Sequence, residues 1–573
     1  MLQKNLLIKI SSSLLAYGAA GAVILGAVFL AVNGMRSSQG MWRTFDDVQT
    51  ARTVAVVNEL RAGQFPVRLL SDFGNGGGYL LLNFYSPVVY YLSSSLVLLG
   101  TQPLNAVKLT FQLAYAVAGF GMFLALKNLF PKSILISVVG SLLFIGSSYF
   151  NFDAYIRGAL PELFGFSLIP WVFLTGRLLI KKTALLTPLS LFSFFLAGLI
   201  STHSITAFIA IPFIYVWLLF EIWSTPTFWQ KFWRLFLAGS LGISLSAFYL
   251  VPMMIEKEFI QYSQMEHVVN GYKSAFITLP EMIGLRKNLD PTIVPVTLGS
   301  WLSLALVVSL CGLGILAWTK IVKLDRSAKN LWLYLSLSLI ALFIIQNKIS
   351  WQIWEFSSFL QLTQFPYRYL TITTFLAVVA VCFGLVQIKN GWLAGLVGVG
   401  LVILTWNANK TFMTPAGYYF AAEFKAEDPC STTTWEHEFM SSWTEDCLVK
   451  GNSIALATGS GQLAISKTEL LNQQNFNLVT NGQPGRLILK RYYFPGWKVT
   501  SNGTELEIFP EGKNGLIGAD LTSKDINLSV SFQDTQIRTL ANRLSLGSLI
   551  GLLALPLIDS LSFWISFKRK SRN

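Results

Sequence analysis

Two adjacent acids, Asp46 and Asp47, follow the first apolar run of this 573-residue chain. A positioned carboxylate can take the proton of a hydroxyl as that hydroxyl attacks an electrophile. Two side by side could also hold a divalent cation through oxygen. Far from them in sequence stand Arg157, Arg368 and Lys273. An arginine fork donates two hydrogen bonds at once, which suits a phosphate whose growing charge must be neutralised. Arg52, Glu162, His203, Glu256 and Gln364 complete the candidate binding residues. Each has a plainer alternative. Asp46–Asp47 could cap a helix beginning near Val48. Arg157 could pair with Glu162 or Asp153, and Glu256 could order a loop at headgroup level. His203 could be a structural hydrogen-bonder, and Gln364 with Arg368 could pack a re-entrant turn. Ionisable groups at membrane level are costly, which favours function.

Metal and redox motifs are absent from the sequence. There are three histidines and four cysteines, with no CxxC and no His–Cys cluster. Cys311 and Cys382 fall in apolar runs and read as inert packing residues. Cys430 and Cys447 share one polar segment, where a disulfide is permitted. The glycines from Gly74 to Gly78 lack a following Lys-Ser or Lys-Thr, so they read as a turn and not as a phosphate loop.

The elements that must position these residues are membrane helices. Hydrophobic residues make up 53% of the chain and charged residues only 13%, against about 25% charged in soluble domains. Apolar runs recur at 10–31, 105–126, 133–149, 163–180, 185–200, 204–219, 235–253, 299–318, 331–345, 369–386, 392–404 and 544–563. Their length suits a bilayer core, and lipid forces such runs to be helical. The first reads as a retained helix and not as a cleaved signal. With the N-terminus cytoplasmic, every inside loop is short and basic, including Lys127, Lys132, Arg177, Lys181, Lys320, Lys323, Lys389 and the tail at Lys568, Arg569, Lys570 and Arg572. The net charge of +14 is then largely topological, with no compact basic motif that reads bases, and no nucleic-acid partner is expected.

On this topology the three long outside segments are 32–105, 254–298 and 405–543, and shorter outside loops carry Asp153, Arg157 and Glu162, then His203, then Gln364 and Arg368, so the candidate chemistry is all outside. Residues 48–60 have helical periodicity, and 80–99, broken by Pro87, read as a helix along the membrane surface. The chain divides into a transmembrane module at 1–408, an extracytoplasmic β-rich domain at 409–542 and a final helix with basic tail at 543–573. Within the β-domain, residues 486–493 and 499–509 flank Phe494-Pro495-Gly496-Trp497 and a Ser501-Asn502-Gly503 turn, and together read as a hairpin. Ile526, Leu528, Val530 and Phe532 alternate as a half-buried strand. Trp443 and Trp497 could stack on sugar or fill the domain's core.

Ordered landmarks carry a resemblance. Asp46, Asp47, Gln49 and Arg52 match D-D-x-Q-x-x-R; Gly63, Pro66 and Arg68 match G-x-x-P-x-R; Phe84, Tyr85 and Pro87 match F-Y-x-P. Tyr155, Arg157, Gly158, Ala159 and Glu162 follow, then Thr202, His203, Thr206 and Ala207. Ser246, Tyr249, Pro252 and Glu256 come next, then Gln364, Pro366 and Arg368, and the FPGW element at Phe494–Trp497. The chain resembles the GT-C superfamily of membrane glycosyltransferases, and more closely the bacterial "6-pyruvoyl-tetrahydropterin synthase-related" integral membrane proteins. Leu69 and Tyr367 stand where many relatives have Trp.

The resemblance implies an α-helical polytopic protein of about twelve spans, GT-C-like, with a small β-sandwich-like domain before the last helix. It implies transfer of a sugar from a polyprenyl-phosphate carrier to a lipid, glycan or protein acceptor. That transfer would occur on the outer face of the plasma (inner) membrane, as part of cell-envelope assembly. Asp47 or Asp46 would be the base and the arginines would hold the carrier phosphate; a divalent metal is an open cofactor. The rival classes are a transporter or lipid flippase, and a non-catalytic scaffold of the same fold. A transporter should carry midspan charges, whereas the midspan positions here are nearly all apolar.

Overall fold

A computed structural model of the chain describes residues 2–37, 40–183, 185–264, 270–284, 296–419, 430–434, 436–449, 455–458, 463–470, 472 and 474–570. Arg572 lies outside them. Nine helices among these residues are long and apolar enough to cross a bilayer, or up to eleven if each of two bent pairs is one span. Ten of the twelve apolar runs lie on unbroken helices and two on broken, bent pairs. The run at 133–149 becomes Ile134–Ile145 followed by Ser148–Arg157, bent by 46°, and that at 235–253 becomes Phe228–Leu245 followed by Ala247–Phe259, bent by 73°. The first bend has a local cause. Gly146 ends its helix where the Trp406 indole passes, leaving no room for a Cβ, and Trp406 Nε1 donates to Leu142 O at 2.9 Å. The run at 185–200 is the Thr187–Thr202 helix, which at 16 residues is short for a span.

Two helices form the centre of the bundle. Leu160–Lys181 and Leu370–Val386 are buried along nearly their whole length, while Ser300–Trp318 and Gly391–Ala408 face outward. Small residues permit the close approach that packing in lipid requires. A Cβ on Gly140 would lie 2.6 Å from Cys382 Sγ.

The ends of the bundle differ. At one, Arg177 grips Glu221 through two bonds of 2.9 and 2.8 Å and Asn128 through a third of 2.8 Å. At the other, the long loops and the β-domain gather. Strands β1 (Met41–Trp42) and β2 (Tyr418–Tyr419) pair there, joining the first loop to the segment after Gly391–Ala408.

The β-domain has two antiparallel sheets. The first comprises β3 (Ala455–Thr458), β6 (Gly485–Tyr492), β9 (Ile508–Glu511) and β10 (Leu516–Leu521), in the order β3-β6-β10-β9. The second comprises β4 (Ile465–Leu470), β5 (Asn475–Thr480), β7 (Trp497–Ser501), β8 (Thr504–Leu506) and β11 (Asn527–Phe532), in the order β4-β5-β11-β7-β8. Alternate residues of β5, β7 and β11 are buried, as a sandwich core demands. The Asn502–Gly503 turn does join a hairpin, β7 to β8. The FPGW element instead crosses between the sheets, from β6 to β7. Its Gly496, at φ +121°, is needed because a Cβ there would lie 2.6 Å from Gln533 O and 2.8 Å from Arg538 Nη1. Trp497 is buried against Phe532 at 5.3 Å and belongs to the core. Trp443 stacks on Phe259 at 5.9 Å. Cys430 and Cys447 form a disulfide. The last helix begins at Gln536, ahead of the apolar run at 544.

The glycine-rich turn has a role beyond flexibility. A Cβ on Gly74 or Gly77 would lie 2.7 or 2.5 Å from the Tyr492 ring. Tyr492 N donates to Gly77 O at 2.9 Å and Arg491 Nη1 to Gly76 O at 2.8 Å. The turn is a saddle on which the β-domain sits.

Candidate functional site

The acids are held by backbone and not by capping. The helix they precede is Gln49–Arg61, its N-cap is Val48, and no side chain caps it. The strand-like stretch before it lies against the loop ending at Gly158. Phe45 N donates to Ile156 O at 3.0 Å and Asp46 N to Arg157 O at 2.7 Å. Gly158 permits this contact, because it takes a left-handed φ of +70° and a Cβ would collide with Thr44. Asp46 and Asp47 are half-buried. Among the described residues neither carboxylate forms an ion pair. Burial pushes the Asp47 carboxyl above its ordinary range; the Asp47 backbone amide opposes this and the Asp46 charge adds to it.

Beside them lies an ion-pair knot that gathers four of the candidates. Glu162 Oε2 lies 2.7 Å from Arg157 Nη1 and 3.3 Å from Arg368 Nε. Glu162 Oε1 accepts from Tyr149 at 2.7 Å. Arg157 Nη1 also reaches Asp153 at 2.9 Å, and Arg368 Nη1 reaches Gln364 Oε1 at 2.6 Å. Two cations thus balance two carboxylates, the condition for burying any of them. Each arginine keeps an Nη2 that makes no hydrogen bond among the described residues. Asp153 and Arg157 share a π-helical turn, Phe152–Arg157, a geometry frequent at functional sites. Gln364 takes φ +63°, and its Nε2 donates to Tyr262 at 3.3 Å. Lys273 is exposed on the Gly271–Ser274 turn, whose Gly271 packs against Phe365.

The remaining candidates have other partners. His203 is the N-cap of Ser204–Ile222, accepting at Nδ1 from Thr206 N at 3.2 Å. Arg52 Nη1 donates to Tyr90 at 3.0 Å and its Nη2 to Thr433 O at 2.5 Å, and it lies over the Tyr85 ring. Glu256 belongs to a second knot. It accepts from Arg538 at 3.0 Å, Asn83 at 2.8 Å and Thr535 at 2.9 Å, all buried or nearly so. That knot ties the first loop, the second loop and the final helix together.

Asp153 entered the sequence reading only as an alternative partner of Arg157, and Tyr149 and Arg538 were not among the candidates. The i,i+4 spacing of Asp153 and Arg157 is a signal for the first; nothing local marks Arg538. Among the described residues no three His, Cys, Asp or Glu side chains converge to hold a metal ion. A cavity of about 310 Å³ opens beside the acids' helix, lined by Thr50, Val54, Asp72, Phe73 and Tyr419 among others. Tyr419 donates to Asp47 O at 3.1 Å.

Fold and site together define a polytopic helical membrane protein with an acid and arginine cluster at one end, beneath a docked β-domain. A family model described as "6-pyruvoyl-tetrahydropterin synthase related domain; membrane protein" matches residues 82–414, more than half of the chain, and the protein belongs to that family. It is 24% identical over 212 residues to an uncharacterized protein of Lactococcus lactis subsp. cremoris (strain MG1363), covering 36% of this chain and 34% of that one. It is similar, at 13% identity and a TM-score of 0.44, to the cryo-EM structure of the arabinofuranosyltransferase AftD from Mycobacteria. That match covers 70% of this chain and 27% of that one. The chain thus spans about a third or less of each of these proteins.

Proposed function

We propose that the protein is a membrane glycosyltransferase of GT-C type, moving a sugar from a polyprenyl-phosphate carrier to an acceptor outside the plasma membrane. The observation that carries the reading is the 2.7 Å bond from Asp46 N to Arg157 O. It brings the backbone of the acid pair, whose carboxylates form no ion pair among the described residues, against Arg157, which shares Glu162 with Arg368. A hydroxyl attacking an anomeric carbon needs the acids, and a departing lipid phosphate needs the arginines. Asp47, with its affinity for protons raised by burial, is the base. Arg157 and Arg368 take the phosphate through their Nη2 edges while Glu162 and Gln364 orient them. Arg52, His203 and Glu256 support the site through the loops they order.

A transporter is less favoured because the buried charges gather at the two ends of the bundle, around Glu162 and around Arg177. The test is transfer from a panel of polyprenyl-phosphate sugars by purified protein, compared with Asp46→Asn and Asp47→Asn. At least one variant should fold normally and lose about 10²–10⁴-fold in rate. Parental rates in both would overturn the mechanism.

A further inference from the structure

A groove of about 600 Å³ runs down the outside of the bundle between the Ser300–Trp318, Leu370–Val386 and Gly391–Ala408 helices. Its lining is apolar apart from Ser309 and Gln387. Two glycines carve it, since a Cβ on Gly312 or Gly400 would meet nothing within 4 Å. On the first helix it extends from Trp301 to Leu316, about 22 Å at the rise of a helix. One end is therefore near the acid and arginine cluster: a Cβ on Gly299 would lie 2.6 Å from Ser148 Oγ, just before the Phe152–Arg157 turn. The other end closes on Val322 and Ile388, and Ile388 lies just past the end of the Leu370–Val386 helix opposite to Arg368, a helix about 25 Å long.

Charge identifies the occupant. Lys320 and Lys323 flank Val322, and Lys389 follows Ile388; all three are exposed. Among the described residues none of them makes an ion pair. The nearest acid in sequence, Asp325, is engaged in capping the next helix through Ala328 N at 2.7 Å. An apolar trough ending in three free cations fits a lipid with its chain in the groove and an anionic headgroup at the lysines. A carrier lipid serving the acids would need its phosphate at the Trp301 end instead.

We infer that this groove is a site for an anionic phospholipid of the leaflet remote from the acid and arginine cluster, held by its acyl chain and by Lys320, Lys323 and Lys389. The site is independent of the glycosyl-transfer reading. Purified protein is exchanged into nanodiscs of phosphatidylcholine with a minority of phosphatidylglycerol, and the lipids that remain bound are identified by native mass spectrometry. Wild type should retain phosphatidylglycerol above its share of the bilayer. A lysine near an anionic surface is worth about fivefold, so the combined Lys320→Gln, Lys323→Gln and Lys389→Gln variant should lower that preference by roughly a hundredfold. Gly312→Leu and Gly400→Leu should lower retention of both lipids without altering thermal stability. Equal retention of the two lipids by wild type, or unchanged preference in the lysine variant, would overturn the headgroup assignment. Undiminished retention in both glycine variants would overturn the groove. Displacement of phosphatidylglycerol by a photoreactive polyprenyl phosphate that labels these helices would reassign the groove to a carrier lipid.

Discussion

Glu162 Oε2 lies 2.7 Å from Arg157 Nη1, and the same oxygen lies 3.3 Å from Arg368 Nε. One buried carboxylate therefore fixes the relative position of two arginines that come from different helices. Glu162→Gln keeps the shape and removes the charge, leaving two cations facing Asp153 alone. Breaking a buried pair costs about 3–5 kcal/mol. The variant should unfold at markedly lower temperature in detergent than wild type. Unaltered melting would show that the knot contributes no stability.

On the proposed mechanism the pH profile of transfer reports on Asp47. A base must be deprotonated to act, and burial holds the Asp47 carboxyl above its ordinary range. Activity should therefore rise with pH along a limb centred above the usual aspartate value, and fall away as the pH is lowered through it. Residual activity of Asp47→Asn should lack that limb. A limb unchanged in the variant would assign the titration to another group.

Arg368 tests the geometry of phosphate binding. Its Nη1 is held by Gln364 at 2.6 Å, which aims the rest of the guanidinium. Arg368→Lys keeps the charge but loses the planar fork. Losing a charge-assisted hydrogen bond costs about 1.5–3 kcal/mol, so the donor KM should rise by about 10- to 100-fold. Arg368→Ala should be worse. If Lys restores donor use fully, charge alone matters at that position.

Arg538 and Gly496 hold the β-domain on the bundle. Arg538→Ala would leave Glu256 buried without its cation, at a cost of about 3–5 kcal/mol. Gly496→Ala would push a Cβ against Gln533 O and Arg538. Both should expose the junction near Asp534 to limited proteolysis while the transmembrane helices stay folded. Equal resistance in wild type and variants would remove this knot from the account of domain docking.

Orientation is testable through Cys430 and Cys447, which are disulfide-bonded. After reduction of intact cells, an impermeant thiol reagent should label both. Cys311, exposed on the outward-facing Ser300–Trp318 helix, should not react, because a polar reagent does not enter hydrocarbon. Labelling of Cys430 and Cys447 only after lysis would invert the topology.

Membrane class, the helix after Asp47 and the presence of a β-domain were all legible in the sequence. Each rests on a local property: an apolar run long enough for lipid must become a helix, and alternation over a few residues makes a half-buried strand. The candidate acids and arginines were legible as residue types for the same reason. Which of them meet was legible only between near neighbours in the chain: Arg157 with Glu162 or Asp153 follows from spacing, whereas the long-range partners do not. Arg157 and Arg368 come together only through Glu162, and Glu256 is drawn off to Arg538, a residue with no local signal. FPGW reads as part of a hairpin until the strands on either side are seen in different sheets. The Gly74–Gly78 turn reads as slack until Tyr492 is found resting on it. A buried charge must find its counter-ion and a close approach must find its partner, and both lie wherever the chain returns. Only the tertiary structure decides that.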